Sequence, residues 1–136
     1  MSLLDNAKKY IGMTEKRNSD VLNSLTGVNV QTTPWCAAFI NALLSEVNIT
    51  GTGSNLARSF LKWEGGVSVD PREAEPGDIV IFRRGNTSWQ GHVAILKSPL
   101  RASDEYAIVI GGNQGDMVKV SGYPVRDILG IRRIKQ

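Results

Sequence analysis

Residues 32–44 read TTPWCAAFINALL, and this stretch decides how the rest of the chain is read. Thr33 is a good N-cap, because its hydroxyl can accept from the free N–H groups of a first helical turn. Pro34 suits the first helical position, where its missing N–H costs nothing. Behind them Ala37, Ala38, Ile40, Ala42, Leu43, Leu44 and Val47 make a mostly apolar helix that asks to be buried. In this register Trp35 and Cys36 are the second and third residues of the helix. Cys36, the single cysteine of the chain, then lies where unpaired N–H groups and the positive end of the helix dipole favour a thiolate.

Upstream, Leu3, Leu4, Ala7, Tyr10 and Ile11 recur at helical spacing. Ser2 with Asp5 resembles a capping box, and Gly12 is a stop. A shorter helix is predicted from about Ser19 to Leu25, followed by the loop TGVNVQTTPW. Downstream, GTGS at 51–54 ends the central helix and Ser54 can cap another over NLARSFLKW. After Trp63 the pattern changes. PGDIVIF, HVAILK, EYAIVIGG, MVKVSGY and ILGIRRI are short β-rich runs separated by turn residues. Helices first and an antiparallel meander after them make an α+β domain: N-terminal helices packed on a C-terminal antiparallel sheet of about five strands. The whole span 1–136 reads as a single catalytic domain.

Composition narrows the function. The 136 residues carry 41% hydrophobic and 21% charged side chains, enough for a real core. The net charge of +3 is spread out, with only short pairs such as Arg83-Arg84 and Arg132-Arg133. No basic run marks a nucleic-acid partner. No stretch approaches the roughly 18 apolar residues of a membrane helix, so no stable membrane insertion is expected. The start MSLLDNAKKY lacks a signal-peptide pattern, so the chain is expected to be made in the cytoplasm without a signal. One histidine and one cysteine leave no room for a structural zinc site, and neither metal nor cofactor is expected.

A nucleophilic thiol needs a base. His92, the single histidine, stands in WQGHVAIL and opens a predicted strand directly after Gly91. The next strand ends in GGNQGD, where Asn113 is the candidate to orient the imidazole, with Gln114 and Asp116 in reserve. Each feature has a plainer explanation. A lone cysteine is most often a small core residue, and an asparagine in a Gly-rich stretch is most often a turn residue. Their order along the chain gives the combination its weight.

PWCAAFINALL, EPGDIVIF, GHVAIL and IGGNQGDMV together resemble the CHAP group of cysteine, histidine-dependent amidohydrolases and peptidases, within the NlpC-type papain-like superfamily. The resemblance runs from about Gly12 to Arg133. It implies a papain-like fold and hydrolysis of bacterial peptidoglycan, at the muramoyl–L-alanine bond or within the stem or bridge peptide. It implies an imidazolium–thiolate pair of His92 and Cys36, with Asn113 as third member. Gln31, five residues before the cysteine, is a candidate oxyanion donor, as a glutamine serves in papain. Trp35 either walls the substrate groove or packs beneath it, and Trp89 and Gln114 are further substrate-binding candidates. Glu15, in IGMTEKR, lies where related chains carry an acid near the cleft, and Asp78 resembles the family's structural turn. The implied setting is a monomer acting on the cell wall after release: a phage endolysin, or else a secretion-system effector with an immunity protein, or a phage tail module. The alternatives are an inactive wall-binding protein on the same fold and a thioester-forming acyltransferase.

Overall fold

The computed structural model describes residues 2–135. Three α-helices come first: α1 (Leu3–Lys8), α2 (Ser19–Thr26) and α3 (Cys36–Glu46). Six strands follow the 3₁₀ helix Ala57–Lys62: β1 (Gly66–Ser68), β2 (Ile79–Arg83), β3 (Gly91–Leu96), β4 (Tyr106–Gly111), β5 (Lys119–Pro124) and β6 (Ile128–Ile134). The α+β class and the order of helices before sheet are as expected. The sheet has six strands rather than about five, in the order β1-β6-β2-β3-β4-β5. β2 to β5 form the predicted meander. β6 crosses back to pair with the other side of β2, and β1 adds to β6 at the edge. β1 is three residues long with two of them exposed, so it leaves no alternating pattern to read.

Local signals explain where the helices begin and stop. The Ser2 hydroxyl accepts from the Asp5 N–H at the start of α1. α2 ends on Gly27 in the left-handed conformation. The segment predicted as a helix after Ser54 is only a 3₁₀ turn, and its cap position is Leu56 without a side-chain bond. α3 starts later than the Thr33–Pro34 signal predicts. Trp35 occupies the cap position with φ −125°, and the helix opens on Cys36 itself. Trp35 is drawn out of helical register as its indole packs into the core, where it meets Phe39 edge to face.

The sheet separates two apolar layers. On one face Ile79, Ile81, Val93, Ile95 and Ile110 pack with the helices. α3 supplies Phe39, Ile40, Leu43 and Leu44, all fully buried, each worth about 1.5–3 kcal/mol against exposure. On the other face Val80, Phe82, Ala94, Leu96, Val109 and Ile131 form a second layer. Burial on both faces is why β2 and β3 read as continuous apolar runs. Asp78 is pinned beneath β2 by Arg133, whose Nε and Nη2 each donate at 2.8 Å. This is the structural turn expected of PGD. Among the described residues no helix is long and apolar enough to cross a membrane.

Candidate active site

Cys36 is 4% exposed. As the first residue of α3 its own N–H and that of Ala37 have no helical acceptor, and both lie close enough to favour a thiolate. The Val93 N–H of β3 acts in the same sense. Strand pairing leaves that N–H available. β3 joins β4 only through Ile95–Ile110 and Leu96–Val109, so His92 and Val93 lie ahead of the zipped stretch. Burial is nevertheless the largest influence on Cys36 and pushes its thiol up.

His92 is buried, and its Nε2 lies 2.8 Å from Gln114 Oε1. Gln114 Nε2 donates to the Lys119 carbonyl at 2.7 Å, which fixes the orientation of the amide. Its oxygen therefore faces the imidazole, and Nε2 of His92 must carry the hydrogen. Nδ1 is left with the lone pair. It is buried with no hydrogen-bond partner among the described residues. Burial holds the imidazole down, to about 4; the bond to Gln114 opposes this and the Arg84 charge adds to it. Tyr123 stacks on the imidazole at 4.8 Å. It also lies within electrostatic reach of Cys36 and Arg84.

The amide that meets His92 is thus that of Gln114, held in reserve on the sequence, and not that of Asn113. Asn113 sits at φ 59° and serves the turn, while its neighbour Gln114 enters the core, 2% exposed. The two glycines before them explain the arrangement. A Cβ on Gly111 would lie 2.6 Å from Gln114 Oε1, and one on Gly112 would lie 2.5 Å from the Trp35 ring. Only bare backbone allows both side chains to close on the site. Asp116, the other reserve, is exposed with φ 62°.

The substrate-binding candidates divide. A groove of about 250 Å³ runs beside Cys36, lined by Leu56, Ala57, Arg84, Trp89 and Gln90 among others. Trp89 stands in its wall at 59% exposure. Trp35 does not: it is fully buried, and its Nε1 donates to Glu15 Oε2 at 2.9 Å. Glu15 is consequently a partner of the core tryptophan rather than a group lining the groove. Its N–H donates to the Asp116 carbonyl, which holds the turn carrying Gln114. Gln31 is exposed, with its N–H bonded to Asn29, and does not line the groove. Gln114 is committed to His92 rather than to the groove. Arg84 and Tyr123 were not singled out by sequence. Arg84 looked like half of a surface basic pair, and Tyr123 reaches His92 only through strand register.

Helices packed against an antiparallel sheet, with a cysteine at a helix start and an amide-oriented histidine at the start of a strand, are the arrangement of a papain-like fold. Residues 28–113, more than half of the chain, match the CHAP domain model, and the chain belongs to the CHAP family. Among solved structures, the endolysin LysIME-EF1 is similar over 90% of this chain and 64% of that one, with 15% identity and a TM-score of 0.61. A lipoprotein-like protein of the NLP/P60 family from Staphylococcus aureus is similar over 98% of this chain and 40% of that one, with 18% identity and a TM-score of 0.60. At these identities the likeness is one of fold, and the chain spans less than two thirds of the length of either. No curated protein matches it by sequence.

Proposed function

We propose that the chain is a peptidoglycan hydrolase that cleaves an amide bond through Cys36 and His92. The observation that carries the reading is the buried His92 ring, with Nε2 held by Gln114 and Nδ1 left as an unpartnered base. CHAP family membership and the likeness in fold to an endolysin support bacterial peptidoglycan as the substrate class.

Burial raises the Cys36 thiol and lowers the His92 imidazole, while the N–H groups at the start of α3 and of Val93 favour the thiolate. Nδ1 takes the thiol proton, and the sulfur attacks the amide carbon. The oxyanion forms beside the Cys36 N–H at the start of α3. As the C–N bond breaks, the Nδ1 proton passes to the leaving amine, and a thioester remains. Water then adds while Nδ1 accepts its proton, and the acid and the free thiol are released. Gln114 keeps the ring in the one tautomer that serves both steps. The biological setting we favour is a phage endolysin acting as a monomer, which a net charge of +3 suits at an anionic wall.

The test is mass spectrometry of purified peptidoglycan digested by the wild type beside Cys36→Ala. New fragments from wild type and none from Cys36→Ala are expected. Free glycan with intact stems identifies an amidase, and split stems identify an endopeptidase. Equal release by both proteins would remove Cys36 from the chemistry.

A further inference from the structure

The groove beside Cys36 holds a cation with no carboxylate partner among the described residues. Arg84 lines it, and none of the residues that line it is Asp or Glu. Neighbouring arginines are committed elsewhere. Arg83 Nε donates to Asp127 Oδ1 at 3.0 Å. Arg58 donates to the carbonyls of Gln90 at 2.6 Å and Thr87 at 3.1 Å. Arg84 instead lies near enough to Tyr123 to influence its hydroxyl electrostatically, and Tyr123 is itself fixed by stacking on His92. No ion pair among the described residues occupies its guanidinium, which carries five N–H donors. These donors are presented beside the nucleophile, in a groove whose other walls include Leu56, Ala57 and the Trp89 ring.

A planar fork of this kind matches a carboxylate through two parallel hydrogen bonds. The geometry points to Arg84 as the specificity residue of the site: it receives a free carboxylate lying within two residues of the amide that Cys36 attacks. The inference rests on the hydrolase reading above, since it names the chemistry of that substrate. Lysine at this position would keep the charge but not the fork, so shape and charge can be separated. The charge alone has a second consequence, since Arg84 favours the Cys36 thiolate and disfavours the His92 imidazolium.

The experiment is calorimetric binding to Cys36→Ala protein, in which turnover is blocked. The probes are two disaccharide-peptides identical except that the second stem residue carries a free carboxylate or its carboxamide. The acid is expected to bind at least about tenfold more tightly. With Arg84→Gln added, the ratio should fall to about one. With Arg84→Lys it should be intermediate. Equal affinities for acid and amide, a preference that survives Arg84→Gln, or no binding of either peptide would each overturn the assignment. Wild-type digestion of whole walls without any preference for the acid would leave the hydrolase reading standing and remove this one.

Discussion

On the sheet side of Cys36 the polar groups are buried and tied to one another: His92 to Gln114, Gln114 to the Lys119 carbonyl, Trp35 to Glu15. On the groove side Leu56, Arg84 and Trp89 stand open to solvent, with Leu56 at 54% and Trp89 at 59% exposure. A buried chain of hydrogen bonds tolerates one arrangement, because each lost partner leaves a polar atom in a low-dielectric interior. An exposed wall can change without such a penalty. The first side is therefore suited to fixing the base, and the second to choosing what is brought to it. Substitutions on the two sides should fail in different ways.

The largest effect is expected from protonating the buried side. His92 is held down to about 4 in the folded chain, whereas an unfolded histidine titrates near ~6.5. Above ~6.5 both states are neutral, and this contribution to stability is fully present. As pH falls below that, the unfolded chain takes up a proton that the native state accepts only near 4, so stability is lost. The full loss is about 3 kcal/mol. Urea unfolding at about pH 7 and about pH 4 should show wild type losing more stability than His92→Gln, by a difference approaching that figure. Parallel losses in the two proteins would mean that the imidazole is not buried as a neutral base.

Next in size is the contrast between adjacent amides. Gln114→Ala removes the acceptor that sets the His92 tautomer, and kcat on cell walls should fall by about a hundredfold with KM little changed. Asn113→Gly should cost almost nothing, because the left-handed backbone at φ 59° suits glycine. If Asn113→Gly is the damaging change and Gln114→Ala is not, the site is organised as the sequence alone suggested.

That contrast also marks where sequence reading stops. The places of Cys36 and His92 in the fold were legible because each sits at an element boundary with its own signal: Thr33–Pro34 before a buried apolar run, and Gly91 before a β-rich one. The fold class followed from the change of period after Trp63. The choice between Asn113 and Gln114 was not legible, since one residue of slip in a turn sends the neighbouring side chain inward. The space left by Gly111 decides it. Trp35 and Trp89 look alike as residue types. One is buried because Gly112 admits its ring and Glu15 accepts its N–H, while the other projects from the loop that Arg58 ties down. Tyr123 meets His92 through the pairing of β2, β3, β4 and β5, contacts set by register across distant segments. The later start of α3 has a similar origin. The pull of Trp35 into the core outweighed a good local capping signal, as tertiary packing commonly does.

The smallest effect, and the sharpest test of the open side, is Trp89→Ala. The side chain is mostly exposed, so stability should change by less than about 0.5 kcal/mol. If the ring is a wall against which substrate lies, its removal should raise KM several-fold, about 1 kcal/mol of stacking or apolar contact, with kcat nearly unchanged. Steady-state kinetics on soluble muropeptides, beside a thermal melt, separates these quantities. A fall in kcat with KM unchanged would place Trp89 in the support of His92, three residues along the chain, and not in the groove. A melt lowered by several degrees would show that the ring holds the loop as well. Neither result is expected, because Arg58 already anchors that loop through the carbonyls of Thr87 and Gln90, on either side of the exposed indole.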